Sequence, residues 1–283
     1  MSDSRHAVAR TVWSQLEAIH AVVYFHEGVV EHMATVGLSG FWRSYFAGRL
    51  APLGAVGPAA AESIVAGFSP DMVERYVPAV WSVVSPADAS ATWSSGAAHA
   101  LHDLGVAEFL PGGAAIDVVR DVVRAWPTSG RPLGAAWRRV ALESQTADPV
   151  LEWWLLATAW RELRGDGHVA ALALGGLDGA LAHAVRLAGD GADADWQQRA
   201  RGYDDLTWAA ARDAAADPER GPALAAAYRR AEWATDDAAS AWWPDGVEVR
   251  LGAVTDVLRP AALQAAAALP YPNPIGVTRP SPR

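Results

Sequence analysis

The spacing of apolar residues is the feature that most constrains the fold of this chain. They recur every three or four positions over most of its length, and strict alternation is nearly absent. This spacing aligns them on one side of an α-helix, whereas a half-buried strand would require a period of two. With 283 residues and 51% hydrophobic content, the chain can fill a substantial core. We therefore predict an all-α protein, folded as a multi-helix bundle.

Composition excludes several kinds of chemistry. The chain has no cysteine, which excludes disulfides, thiolate metal ligands and a cysteine nucleophile. Its 23 basic residues are all arginine, so a Schiff-base lysine is excluded as well. The same bias, together with abundant alanine, is typical of a GC-rich genome such as an actinobacterial one.

Charge and hydropathy narrow the choice of partners. The formal net charge of −9 disfavours DNA as a partner, because affinity for a phosphate backbone depends on clustered positive charge. The sequence opens without a basic cap followed by an apolar run, and no uninterrupted apolar run of about 18 residues occurs later. We therefore expect a cytoplasmic protein that does not contact a membrane.

Proline and capping residues mark the helix boundaries. Ser69-Pro70 and Ser85-Pro86 each place a serine at the N-cap and a proline at the first helical position. Further helices are predicted over Val8–Val30, from Gly40 to before Ala51, over Ala114–Trp126, Leu133–Leu142 and Pro149–Arg164, and from Asp166 to Leu187.

The chain is predicted to have three segments. Residues 1–188 form a helical bundle with a small-molecule pocket, residues 189–269 a smaller helical region, and residues 270–283 a proline-rich extended tail. The boundary between the first two lies in the acidic, glycine-containing stretch Ala188–Asp195. The tail starts with Pro270-Tyr271-Pro272-Asn273-Pro274, which cannot be helical.

Four polar residues near the N-terminus have helical spacing. His20, Tyr24, Glu27 and Glu31 would share one face of a continuous helix, beside its apolar stripe. Such a row can line a pocket, hold a metal ion through His20 and Glu27, or transfer protons. Alternatively, it is a helix edge with a hydrogen-bonded histidine and solvated glutamates.

A second candidate is the stretch Arg164-Gly165-Asp166-Gly167-His168, which is predicted to be a turn between two helices. There Asp166 would cap the second helix, and His168 would lie in a first turn whose free N–H groups attract anions. Arg164 would add a planar cation. The alternative is an ordinary turn in which Arg164 pairs with Glu162.

A third candidate is the aromatic-rich helix that carries Arg43 and Arg49. These two arginines are six positions apart, so at most one of them is expected to share a pocket with His20. Stacking on Trp42 or Tyr45 is the simpler role for either cation. Core packing is likewise the favoured role of the tryptophans, which include Trp153, Trp154, Trp160, Trp208, Trp233, Trp242 and Trp243.

Four segments resemble an actinobacterial helix-turn-helix family over nearly the whole chain: residues 20–25, 46–54, 164–172 and 270–276. Members of that family carry a winged-helix-like region in their C-terminal half. Arg201–Trp208 is similar to the start of one of its helices. The resemblance implies a recognition helix over Leu206–Ala216, followed here by no glycine-bearing wing. Because Arg212 is the single base in that helix and aspartates flank it, we expect the region to be degenerate.

These patterns favour a small-molecule-binding protein with an anionic or aromatic ligand, and one form of it is a cofactor-independent enzyme of specialised metabolism. The predicted catalytic residues are His20, Tyr24 and His168, and the predicted ligand-binding residues are Glu27, Arg43, Arg49, Arg164 and Asp166. No dedicated metal ligand or required cofactor is predicted, with haem or a metal ion held by histidine as a minor variant. The alternatives are a non-catalytic ligand sensor and a winged-helix DNA-binding regulator, and a homodimer would fit the many alanines and tryptophans.

Overall fold

The computed structural model of the chain describes residues 2–190, 194–271, 273, 275 and 277. Over these residues the regular structure is entirely helical, which confirms the predicted fold class. Two 3-10 helices span Ala51–Leu53 and Val106–Phe109. The α-helices are α1 (Ser2–Phe25), α2 (Glu27–Ala34), α3 (Phe41–Leu50), α4 (Pro58–Ile64), α5 (Pro70–Trp81), α6 (Pro86–Asp103), α7 (Ala114–Ala125), α8 (Pro132–Glu143), α9 (Pro149–Leu174), α10 (Gly179–Asp190), α11 (Ala194–Arg201), α12 (Asp205–Ala216), α13 (Gly221–Ser240) and α14 (Val247–Ala267).

Helix α9 lies at the centre of the bundle. It packs against α1, α6, α7, α8 and α13, and α14 packs against α1. Most of the predicted core tryptophans are buried, among them Trp153, Trp154, Trp160 and Trp208, whereas Trp233 is 55% exposed. The contact between α8 and α9 is so close that a Cβ on Gly134 would lie 2.5 Å from the Cα of Leu163.

The predicted helix starts at the two serine–proline pairs are confirmed. The Ser69 hydroxyl accepts a hydrogen bond from the Met72 amide, and the Ser85 hydroxyl accepts one from the Asp88 amide. Both contacts satisfy an amide that has no partner within its own helix.

The prediction of one continuous first helix is wrong, because the helix is interrupted at His26. This residue is extended, with φ −79° and ψ 124°, and α2 starts one residue later. Apolar periodicity persists through the break, since Val29 and Met33 on α2 are buried, so the spacing gave no sign of it. Glu27 therefore lies in the first turn of α2 and does not continue the face that carries His20 and Tyr24.

The predicted turn at Arg164–His168 is also wrong, because α9 continues through it to Leu174. Two glycines in a helix interior cost about 1 kcal/mol each relative to alanine. Here packing outweighs that cost, because α9 is covered by several helices and buries Arg164 and Asp166 among them. His168 consequently lies in the middle of a helix and not near an N-terminus.

No single helix in the described ranges is long and apolar enough to cross a membrane. Helices α9 and α10 meet that test of length and composition when they are taken together, but they are bent by 93° where they meet.

Two short helices and a tight turn follow the middle of the chain. Helices α11 and α12 are joined by residues 202–204, where Gly202 has a φ of 75°. Asp204 caps α12 by accepting from the Thr207 amide at 2.8 Å. With α10, these helices enclose a small apolar core of their own around Tyr203 and Trp208. We call α10–α12 the helix-turn-helix segment.

Helices α13 and α14 rejoin the main bundle. Helix α13 packs against α9 and α1, and residues of α14 from Val247 to Ala265 belong to the main core, as does Leu269 just beyond this helix. The predicted boundary at Ala188–Asp195 includes residues 191–193, which lie outside the described residues, and the three-segment division stays a prediction.

The described part of the tail is non-helical and is held by one side chain. The Asn273 amide donates to the Val277 carbonyl and accepts from the Val277 amide, each at 2.9 Å, and it also donates to the Pro270 carbonyl. Tyr271 and Ile275 pack against the main core. Residues 272, 274, 276 and 278–283 of the predicted tail lie outside the described residues.

Candidate functional site

A cavity of about 840 Å³ lies between α1, α9 and the helix-turn-helix segment. Its lining contains arginines, carboxylates and aromatic residues. The arginines are Arg49, Arg161, Arg164, Arg186 and Arg201; the carboxylates are Glu17, Glu62, Asp178 and Glu232; the aromatic residues are Trp13, Phe68, Tyr203 and Tyr228. We call this space the large cavity.

Helices α1 and α9 form the first wall, where their side chains pair turn by turn. The Arg164 guanidinium lies 4.1 Å from the centre of the Trp13 ring, as in a cation–π contact. One turn further along α1, Glu17 Oε1 accepts from Arg161 Nε at 3.2 Å. Trp13 and Glu17 are four residues apart, so one face of α1 supplies both contacts.

A buried ion pair joins α9 to α3 at the edge of this wall. Arg49 donates from Nε and Nη2 to the two carboxylate oxygens of Glu162, each at 2.9 Å, and Arg161 also contacts Glu162. Glu162 is 1% exposed. Burial alone would raise the pKa of Glu162, but the charges of Arg161 and Arg49 lower it to about 2. This carboxylate is therefore ionised over the physiological pH range.

A second polar network joins α9 to α13 and α1. Arg164 Nη2 donates to Asp236 at 2.9 Å, and Arg10 donates to Asp236 and Glu232 at 2.8 Å each. His168 Nδ1 lies 3.2 Å from the Thr235 hydroxyl, which donates its own proton to the Ala231 carbonyl. Thr235 must therefore accept from His168, which places the imidazole proton on Nδ1. Burial lowers the pKa of His168, so the ring is neutral near pH 7.

The helix-turn-helix segment forms the opposite wall and is tied to the loop between α4 and α5. The Arg201 guanidinium lies 4.4 Å from the centre of the Phe68 ring. The Ser69 amide donates to the Arg201 carbonyl at 2.9 Å, and the Ser69 hydroxyl donates to the Gly202 carbonyl at 2.7 Å. His183 Nε2 lies 3.0 Å from the Gly67 carbonyl. The turn that orients α12 is thus part of the cavity wall.

His20 and Tyr24 lie behind the first wall, in the core, and neither lines the large cavity. The Thr158 hydroxyl donates to the Trp154 carbonyl at 2.8 Å, so it accepts from His20 Nδ1, also at 2.8 Å. His20 Nε2 then accepts from the Tyr24 hydroxyl at 2.8 Å. Burial, followed by the charge of Arg161, lowers the pKa of His20 well below its usual value. Both ring nitrogens of a neutral imidazole are engaged.

The other predicted site residues are dispersed. Asp166 does not cap its own helix. It is buried, and its carboxylate accepts from the Gly134 amide at 2.8 Å. Asp166 therefore caps the N-terminus of α8. Glu27 lines a separate cavity of about 480 Å³ at the break between α1 and α2. Arg43 is exposed on α3 and lines neither cavity.

Three predicted residues do converge on the large cavity: Arg49, Arg164 and His168. Sequence reasoning missed Trp13 and Glu17. The signal was present, because Trp13, Glu17, His20 and Tyr24 have the same spacing as the predicted row, shifted towards the N-terminus. Arg201 and Phe68 gave no such signal, because they meet only when distant segments pack together.

The described residues contain no group of three or more histidine, aspartate or glutamate side chains that could hold a metal ion. His20 and Glu27, the pair considered for a metal ion, lie on different helices, both ring nitrogens of His20 are hydrogen-bonded, and Glu27 lines the separate cavity.

A model of a helix-turn-helix family matches residues 9–272. The match covers most of the chain, so the protein belongs to this helix-turn-helix family. Comparisons with curated proteins and with solved structures find no match.

Proposed function

We propose that this protein binds an anionic small molecule in the large cavity and that its helix-turn-helix segment forms part of the binding site. The supporting observation is that Arg49, Arg164 and Arg201, from three separate elements, converge on one cavity with aromatic walls. A guanidinium binds a carboxylate or phosphate through two parallel hydrogen bonds. The volume lies within the range of about 300–1,000 Å³ that is usual for small-molecule sites.

The wall formed by the helix-turn-helix segment is the better place for the anionic group. Arg49 and Arg164 are already held by buried carboxylates. At the other wall, burial lowers the pKa of Arg201 to about 10, and the charge of Arg186 acts in the same direction. Burial and these two arginines also lower the pKa of His183. A bound anion would offset this local positive potential.

A binding role is favoured over catalysis. His20 and Tyr24, the predicted proton-transfer residues, are enclosed in the core and are hydrogen-bonded to each other. A general acid or base must reach the proton that it transfers. His168 is the predicted catalytic residue that lines the cavity. An enzymatic reaction at this site would therefore depend on His168 and not on His20.

DNA binding is the second candidate, and membership of a helix-turn-helix family favours it. The exposed face of α12 works against it, because Asp205 and Asp213 lie there and Arg212 faces Asp195 at 3.4 Å. Carboxylates on a recognition helix are repelled by DNA phosphates. A sensor whose α12 contacts another protein is equally compatible with this acidic face.

The experiment is a thermal-shift screen of aromatic carboxylates and phosphate esters against the purified protein. We expect at least one compound to raise the Tm, and Arg201→Met to abolish that effect. Arg43→Met is the matched control, because it removes an exposed arginine outside the cavity and should leave the shift intact. Circular dichroism checks that each variant is folded, and native mass spectrometry reports any retained ligand and the oligomeric state.

A screen in which no compound raises the Tm would contradict the proposal, as would binding that survives Arg201→Met. Retarded mobility of duplex DNA that is lost with Arg212→Ala would instead support the regulator. Turnover abolished by His168→Ala would support the enzyme.

A further inference from the structure

The first wall of the large cavity contains a buried carboxylate oxygen that lacks a donor. Glu17 is 5% exposed, and its Oε1 accepts from Arg161. Its Oε2 is buried and has no hydrogen-bond partner among the described residues. Leaving such an oxygen unsatisfied is costly, and each instance in a folded protein requires an explanation.

The other carboxylates that line the cavity, Glu62, Asp178 and Glu232, differ from Glu17. Glu232 Oε2 accepts from Arg10 at 2.8 Å, and its Oε1 lies 3.5 Å from His168. Asp178 caps α10 by accepting from the Leu181 amide at 2.8 Å. Glu62, the fourth carboxylate of the lining, is half-buried. Among the carboxylates that line the cavity, Glu17 is thus the one with a buried oxygen that has no hydrogen-bond donor among the described residues.

We infer that the cavity has a second subsite, in which Glu17 Oε2 accepts a hydrogen bond from an amine or hydroxyl group of the ligand. This inference rests on the proposed function, since it adds to the anion subsite at Arg201. The aromatic residues Trp13, Phe68 and Tyr203 line the same cavity. The ligand class is thus an aromatic molecule that carries both an anionic group and a hydrogen-bond donor.

The chemistry of the two walls supports this division. Glu17 belongs to α1, and Arg201 belongs to the end of α11, so the acceptor and the cation come from different walls. A ligand with an anionic group alone would leave Glu17 Oε2 unsatisfied, and a ligand with an amine alone would bring no negative charge to Arg201. A molecule with both groups satisfies each of them.

The test compares three probes that share an indole ring: tryptophan has both groups, indole-3-propionate has only the carboxylate, and tryptamine has only the amine. Calorimetry on the full chain should show tryptophan binding about tenfold tighter than indole-3-propionate, as expected for one charged hydrogen bond. Glu17→Gln should remove most of this preference and leave the Kd of indole-3-propionate nearly unchanged. Glu152→Gln, which removes a carboxylate of α9 outside the cavity, is the matched control and should preserve the preference.

The outcomes separate the two proposals. If tryptophan and indole-3-propionate bind equally, or if the preference survives Glu17→Gln, the second subsite is refuted while anion binding stands. If none of the probes binds at millimolar concentration, both proposals fail for this ligand class. Measured Tm values show whether each variant is folded. In a folded protein, Arg201→Met should weaken the binding of both probes that carry a carboxylate, tryptophan and indole-3-propionate.

Discussion

Replacing Glu162 by glutamine should destabilise the protein strongly. The side chain is 1% exposed and receives two hydrogen bonds of 2.9 Å from Arg49. Its pKa falls from an ordinary 4.5 to about 2. At about 1.4 kcal/mol for each pKa unit, linkage assigns ~3 kcal/mol of stability to this carboxylate. Glutamine keeps the volume, so the loss comes from the buried Arg49 guanidinium, which loses its counter-charge, and from Arg161, which keeps only its contact with Glu17. Breaking a buried ion pair in this way usually costs ~3–5 kcal/mol.

Urea unfolding at pH 7, followed by tryptophan fluorescence, measures this difference. Glu152→Gln is the matched control, because Glu152 lies on the same helix and pairs with Arg120, but it is 28% exposed. A pair of that kind contributes at most about 1 kcal/mol.

The pH dependence gives a second check on Glu162. Because the folded pKa is the lower one, the stabilisation is present above pH 4.5 and is lost as the pH falls towards 2. The difference between wild type and Glu162→Gln should therefore shrink below pH 4.5. A loss at pH 7 no larger than that of Glu152→Gln would refute the reasoning.

Three further predictions concern stability. Gly134→Ala should lower the free energy of unfolding by about 1–3 kcal/mol, because its Cβ would lie 2.5 Å from the Leu163 Cα. Gly167→Ala has no neighbour closer than 3.9 Å and should raise the free energy of unfolding by up to about 1 kcal/mol. Equal effects of the two substitutions in chemical denaturation would contradict this. Burial raises the pKa of Asp166 from 3.8 to about 6, so its contribution is present below pH 3.8 and is lost as the pH rises through 6. Asp166→Asn, whose side-chain oxygen can still accept from the Gly134 amide, should thus be more stable than wild type by up to ~3 kcal/mol at pH 8 and by little at pH 4. A stability difference in urea titrations that is the same at both pH values would be inconsistent with this assignment. Asn273→Ala should cost about 1–3 kcal/mol by removing its bonds to Val277, and protease digestion should then cleave the tail faster than in wild type.

Two of the site errors have one physical origin. A helix break at His26 and a continuous helix through Gly165 and Gly167 are both decided by what packs around them. The break leaves apolar periodicity intact, and the glycines are accommodated because α8 and α13 cover α9. Asp166 is a third case that packing decides. It has the predicted capping role, but it caps α8, which ends six residues before the start of α9, the helix that carries Asp166.

The sequence alone determined the helical class and the capped starts at Ser69 and Ser85. These features depend on neighbours within a few positions, so local spacing and capping chemistry are sufficient to reveal them. Only the tertiary structure decided that Glu17 and Arg201 face the same cavity while His20 and Tyr24 stay behind its wall. Such contacts join residues far apart in the chain, and their geometry is set by how whole helices pack against one another.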